Sequence, residues 1–348
     1  MHVPADATSA PRPRPAGRRI AVATAIVGLI LAVALVAYVG LGEVLHALRA
    51  MGWVVLAVLC ASAAPLYAVL GASWFALAAD ERPERFWVFI WARMVRDAVG
   101  ELLPLSPLGG FAFGARAAVI HQVSPATAIA TTIVDVTAEF IGLLGFVALG
   151  LALMAMLSAG DAQANRLLLW AGPLGLAISA GAAAAFVFIQ HRAAGPIERL
   201  VARWAPQAMA GASAAVAAMR GLYRRPGRLA LASLLHLIAW VGGAASVWLA
   251  LRLSGREISL SAVLAIESLL YAVRAAAFAA PMAIGVQEAG YLVIGPMFGL
   301  GPDYAIALSL MKRARDVAIG VPTLLIWQAF EARRLLAKSA AVSQDPAP

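Results

Sequence analysis

With 348 residues, 62% hydrophobic and only 13% charged, at a mean hydropathy of +0.85, the chain is no water-soluble domain; such domains carry roughly 25% charged residues. Its scarce charge is one-sided, net +9 with pI ≈ 10.5, and Lys312 and Lys338 are the only lysines beside many arginines. Five histidines and the single Cys60, without a Cys/His cluster, exclude structural zinc and disulfides, and no cofactor is expected.

The basic residues gather in short loops beside apolar runs, which is the positive-inside pattern of a membrane protein and not that of a nucleic-acid binder. Residues 1–17 are Pro-rich and polar and read as a disordered tail. The run 20–40 is too long for the 7–15-residue core of a signal peptide and lacks a small-x-small cleavage site, so it is expected to stay as the first helix. Spanning helices of about 20 residues follow at 53–79, 125–158, 165–190, 228–253 and 303–330. Arg12, Arg14, Arg18 and Arg19, the arginines of 191–228 and Arg333, Arg334 and Lys338 belong on one side, and the nearly neutral linkers 41–52, 159–165 and 254–258 on the other. Both termini are therefore expected in the cytoplasm. Segment 196–224 mixes Ile197, Leu200, Val201, Trp204 and Met209 with arginines, which suits either a helix on the anionic inner leaflet or a plain connector.

Two further apolar stretches, 86–121 and 260–298, are each broken halfway by Pro and Gly. Each must begin and end on the same side, so they read as re-entrant hairpins, although two full crossings apiece (ten spans in all) satisfy the same charge rule. Broken backbone at membrane depth survives only where protein or a cavity shields it, which favours the hairpins. The expected fold is an all-α polytopic membrane protein of six spans plus two re-entrant hairpins. Its layout is a tail 1–17, a bundle 18–190 with a first repeat 86–158, a basic segment 191–228, a bundle 229–330 with a second repeat 260–330, and a tail 331–348.

Shifting the chain by 177 residues places Pro104 on Pro281, Ala112 on Ala289, Pro125 on Pro302, and the AIA of 128–130 on that of 305–307. The charge rule runs span 125–158 outward and 303–330 inward. The repeats are thus inverted, the plan of alternating-access transporters whose sites lie between broken helices. The same shift sets Asp135 on Lys312 and Glu139 on Asp316, each pair at i, i+4 on one helical face. Ionised groups at the centre of a lone helix cost roughly 2.5–3.5 kcal/mol each, so Asp135, Glu139, Lys312, Arg313, Arg315 and Asp316 must meet one another or water. The expectation is that the acidic helix of one repeat faces the basic helix of the other; a buried network that merely locks the repeats is the competing reading. The hairpins add Arg93, Arg96, Asp97, Glu101 and Arg116, with Gly109 and Gly110 expected to allow a tight reversal. The second adds Arg274, Gln287 and Glu288. Glu267 has no evident partner, and His236 reads as a packed histidine bonded to a neighbouring helix.

The stretches "WARMVRDAVGELLPLSPLGGFAFGARAAV" and "YAVRAAAFAAPMAIGVQEAGYLVIGPMFGL…ALSLMKRARD" resemble the two signature regions of the flippase-like membrane family. That family includes the transmembrane half of lysylphosphatidylglycerol synthases, and the nearest likeness is to hopanoid-biosynthesis-associated integral membrane proteins of the HpnL type. The resemblance carries Pro104, Gly109, Gly110 and Arg116 in the first region and Arg274, Pro281, Gly285, Gln287, Glu288, Lys312, Arg313 and Arg315 in the second. It implies a bacterial inner-membrane protein that translocates or handles amphiphilic lipids, anionic phospholipid or hopanoid, in company with lipid-biosynthesis enzymes. Where the family has Gly-Glu before the first break this chain has Arg96-Asp97; its Asn is Gly100, and its acid after the glycine pair is Phe111. No aminoacyl-transfer domain follows the bundle, so an enzyme is not expected. A lipid-headgroup transferase with Glu288 or Asp135 as base, and a scaffold for lipid synthesis, are the alternatives to a flippase.

Overall fold

The computed structural model describes residues 42, 49, 51–78, 81–103, 106–157, 173–177, 180–181, 184–190, 192, 209–276 and 286–342. Among them all regular secondary structure is helical. Ten helices of eight residues or more are α1 (Trp53–Ala61), α2 (Ala63–Leu77), α3 (Phe86–Leu102), α4 (Ser106–Ile120), α5 (Pro125–Leu157), α6 (Met209–Tyr223), α7 (Pro226–Leu253), α8 (Leu260–Ala276), α9 (Val286–Ile294) and α10 (Pro302–Val342). The expected span 20–40 and much of 165–190 lie outside the described residues, as do both predicted tails except for residues 331–342 at the end of α10.

Among the described residues three helical stretches are long and apolar enough to cross a bilayer: Trp53–Leu77, Pro125–Leu157 and Pro226–Leu253. They match the expected spans at 53–79, 125–158 and 228–253. The expected span 303–330 is helical throughout, inside the 41 residues of α10. It is not among the apolar three, because Lys312, Arg313, Arg315 and Asp316 on one side and Glu331, Arg333 and Arg334 on the other leave no long uncharged window. The hairpin limbs are shorter, with 17 residues in α3, 15 in α4, 17 in α8 and 9 in α9. Among the described residues none of these helices reaches the ~20 residues of a full crossing.

Local chemistry sets the boundaries. Pro65 lacks the N–H that would bond Ala61, and the chain steps from α1 to α2 there, with the Ser62 hydroxyl donating to the Leu59 carbonyl at 3.0 Å. Ser124 caps α5 by accepting from the Thr127 N–H at 3.1 Å, with Pro125 as first helical residue. Ser259 does the same for α8 through Ala262 N–H at 3.2 Å. Gly255, at φ 82, ends α7 with the Arg256 N–H reaching back to the Leu251 carbonyl.

Among the described residues packing forms two large apolar cores and two smaller clusters. One core joins α2 to α5 through Trp74, Phe89, Ala92, Val95, Ala117 and Ala128. The other joins α1, α7, α8, α9 and α10 through Leu59, Val247, Ile266, Tyr291, Leu308 and Met311. Contacts between the two hairpin units are reciprocal: α5 packs on α8, and α10 packs on α3. Large apolar side chains such as Trp53, Met156, Ile238 and Val293 stay on the outside, where lipid solvates them.

Two glycines bring backbones together. Gly109 and Gly110 do not form the expected reversal; they lie within α4, and a methyl on Gly110 would meet the Arg96 carbonyl oxygen at 2.5 Å. Gly110 therefore seats α4 on α3. Gly142 brings α5 onto α7, since an added methyl would stand 2.8 Å from His236 Cβ and 2.9 Å from the Ser233 oxygen. Gly142→Ala is expected to destabilise by about 1–3 kcal/mol through overpacking. Gly145→Ala, whose methyl meets Leu237 at an ordinary 3.6 Å, should stay within about 0.5 kcal/mol. Thermal unfolding in detergent compares them, and equal midpoints would contradict the close approach.

Candidate functional site

The ionisable residues of the interior form two networks and one cavity. In the first network, Asp135 on α5 has no solvent exposure. It accepts from Arg96 Nη1 at 2.8 Å, His236 Nε2 at 2.9 Å, Ser73 Oγ at 3.1 Å and, more weakly, Arg93 Nη1 at 3.4 Å. One turn on, Glu139 accepts from Arg93 Nη2 at 2.9 Å and from Arg96 Nη2. Arg93 also donates from Nε to Asp97 at 3.0 Å. Two guanidinium forks thus bridge two carboxylates, an arrangement the compact ammonium of lysine cannot reproduce. Positions 93, 96 and 97 share a face of α3, while 135 and 139 share one of α5, because i, i+3 and i, i+4 neighbours align on a helix.

The second network reverses the signs. Lys312 on α10 donates to Glu267 on α8 at 2.7 Å and to the Tyr291 hydroxyl at 2.9 Å, while that hydroxyl donates to Glu267. Lys312 and Glu267 are both buried. Arg313 grips Glu288 with two bonds, of 2.6 and 3.1 Å. Ser309 donates to Glu288 at 3.1 Å and accepts from Gln287 at 2.9 Å. Arg315 bonds its neighbour Asp316 at 2.6 Å.

The expected direct pairing of Asp135 and Glu139 with Lys312, Arg313 and Arg315 is not what forms. Each span finds its counter-ions in its own hairpin unit, α5 in the arginines of α3, and α10 in the carboxylates of α8 and α9. The backbones of α3 and α8 pack closest on the spans of the opposite unit, and these ion pairs form because long side chains, the guanidinium arms of Arg93 and Arg96 and the ammonium arm of Lys312, reach across to their partners. What the two units share is a cavity of ≈ 210 Å³ between them. Arg93, Asp97, Glu101 and Glu139 enter its wall from one side and Arg274, Arg315 and Asp316 from the other, with Tyr67, Trp240 and Tyr271. One ion pair crosses it: Arg274 Nη2 donates to both oxygens of Glu101, at 2.9 and 3.0 Å, and its Nη1 to Gln287 at 3.0 Å.

Of the residues singled out by sequence, Asp97, Glu101, Glu139, Arg274, Arg315 and Asp316 line this cavity, while Arg96 and Asp135 stand behind its wall. Gln287, Glu288, Lys312 and Arg313 belong to the second network. Arg116 is half-exposed and pairs with Glu331 at 2.6 Å, away from the cavity. Pro104, Pro281 and Gly285 lie outside the described residues. Phe111 places its ring 4.6 Å from the Arg96 guanidinium, a cation–π contact. Ser73, Tyr67, Tyr271 and Tyr291 were not legible as site residues, because a single hydroxyl in an apolar run has no spacing to betray it. Among the described residues no group of His, Cys, Asp and Glu is arranged to hold a metal ion.

A family model, that of the lysylphosphatidylglycerol synthase TM region, matches residues 20–323. Comparison with curated proteins and with solved structures gave no match.

Stability separates buried from peripheral pairs. Asp135→Ala removes a buried carboxylate that accepts from Arg96, His236, Ser73 and Arg93 and leaves those donors short of an acceptor, which should cost about 3–5 kcal/mol. Glu331→Ala, which frees only the half-exposed Arg116, should cost under about 1 kcal/mol. Thermal midpoints of the two variants in the same detergent provide the check, and a mild Asp135→Ala would mean the network is not the buried cluster described.

Proposed function

Because the chain belongs to the lysylphosphatidylglycerol synthase TM-region family, we propose that it is a flippase-like protein that passes the headgroup of an amphiphilic lipid through the cavity between its two hairpin units. Family membership makes it a membrane protein of lipid handling, and membrane lipids are its partners. The observation that carries the finer reading is the cavity itself, charged on both walls and fed by both units.

At ≈ 210 Å³ it has room for about seven waters at ~30 Å³ each. That suits a polar headgroup and leaves no room for two acyl chains, which would trail in the bilayer. The reciprocal packing of α5 on α8 and α10 on α3 is what an inverted repeat produces around a pseudo-twofold axis. Limbs shorter than a crossing support re-entrant hairpins. On this reading Arg274–Glu101 is a latch between the units, because it is the ion pair that crosses the cavity.

The one-sided arginine distribution supports cytoplasmic termini in a bacterial inner membrane, and the same basic surface suits anionic phospholipid; the HpnL-type likeness extends the substrate class to hopanoids. Transport is favoured over headgroup transfer because the two candidate bases are already engaged, Asp135 by four donors and Glu288 by Arg313 and Ser309.

Reconstitution with labelled anionic phospholipid and with a hopanoid tests the reading, which expects transbilayer movement faster than in empty vesicles. Rates equal to empty vesicles for every lipid would contradict it. Glu101→Arg should slow movement roughly tenfold, the equivalent of ~1.4 kcal/mol, and adding Arg274→Glu should restore part of it. A double variant no better than the single would remove the latch.

A further inference from the structure

The charges around the cavity do not balance. Its wall and the network directly behind it hold four guanidinium groups, Arg93, Arg96, Arg274 and Arg315. Against them stand five carboxylates, Asp97, Glu101, Asp135, Glu139 and Asp316. The other interior pairs, Lys312 with Glu267 and Arg313 with Glu288, are neutral and leave nothing over. His236 apart, carboxylates outnumber guanidinium groups by one around the cavity. An unmatched buried carboxylate relieves the cost of its burial by taking up a proton.

Hydrogen bonding singles out which carboxylate it is. Asp135 receives four donors and Glu139 two guanidinium forks. Glu101 receives two bonds from Arg274, and Asp316 two from Arg315. Asp97 receives one, from Arg93 to Oδ2, and its Oδ1 takes no hydrogen bond from any described residue. Its side chain is a quarter exposed, toward the cavity, so a proton from water can reach it. The groups around it are set by every packed element: Arg93, Arg96 and Glu101 on its own helix, Glu139 on α5, Tyr67 on α2, and Arg315 and Asp316 on α10. Arg274 and Tyr271 on α8 face the same cavity. His236 on α7 lies beyond Asp135, with no exposure, and bonds that carboxylate through Nε2.

We propose that Asp97 is a proton-binding site of the cavity wall, exchanging one proton with the aqueous phase through Oδ1. The proton arrives from water, forms the O–H of a neutral carboxylic acid and leaves by the same route, and no other bond changes. Deprotonated, Asp97 restores the excess negative charge and draws a cationic group into the cavity or tightens Arg93. Protonated, it leaves the wall neutral. Coupling of this cycle to lipid movement rests on the flippase reading above; the proton site does not.

Infrared difference spectroscopy of the purified protein, stepped from mildly acidic to mildly alkaline buffer, reads a protonated carboxyl directly. The expected result is one titrating carboxylic C=O band, lost in Asp97→Asn and kept in Glu331→Gln, with both variants retaining the wild-type unfolding midpoint within a few degrees. Two results would overturn the proposal: no titrating band, where a midpoint that rises with sodium would make the balancing charge a metal cation, or a band that survives Asp97→Asn. Should the proteoliposomes move no lipid, the infrared result stands or falls independently.

Discussion

A carboxylate with no exposure, Asp135, in the middle of a 33-residue apolar helix is the constraint on which the rest of the structure turns. Left unpaired it would be insupportable in hydrocarbon. Its partners come from three other helices, with Arg93 and Arg96 from α3, His236 from α7 and Ser73 from α2. Fixing those four contacts fixes how the helices pack. Gly142 lets α7 approach until His236 reaches the carboxylate, and Gly110 lets α4 close on α3 behind Arg96. The glycines matter because the ions need short distances.

The second unit meets the same demand with the opposite sign. Under the 177-residue shift, Asp135 corresponds to Lys312, Glu139 to Asp316 and Asp97 to Arg274. The sign reverses at Asp135/Lys312 and Asp97/Arg274 but not at Glu139/Asp316, and among the described residues no ion pair joins α5 directly to α10. The cavity lies between the units, and a single ion pair bridges it. Apart from Arg274–Glu101 and the peripheral Arg116–Glu331, neither unit depends on the other for the counter-ions of its arginines and lysine among the described residues.

The three apolar spans were legible because length and composition alone define them, and the break between α3 and α4 because Pro104 interrupts an otherwise apolar run. The i, i+4 charge pairs were equally plain, since lipid excludes isolated ions. The sequence misled on pairing. Matching Asp135 with Lys312 by the internal shift treated equivalence as contact, whereas Arg93 and Arg96 lay closer in the chain and in space. Glu267 looked unpartnered because its partners, Tyr291 and Lys312, are 24 and 45 residues away, a separation no local pattern encodes. The glycine pair 109–110 reads as a turn in isolation; only the packing of α4 against α3 shows that its purpose is close approach.

The central claim is a polar, water-reached cavity between two charge-satisfied units, and thiol accessibility tests it most directly. Gly243 lines the cavity and has open space where a side chain would go, whereas Leu249 on the same helix faces outward among the exposed apolar residues. In a Cys60→Ser background in liposomes, the account predicts that Gly243→Cys reacts with a small polar thiol reagent, which needs water and the thiolate, while Leu249→Cys stays inert in lipid. An unreactive cysteine at 243, or equal reactivity at both positions, would contradict it.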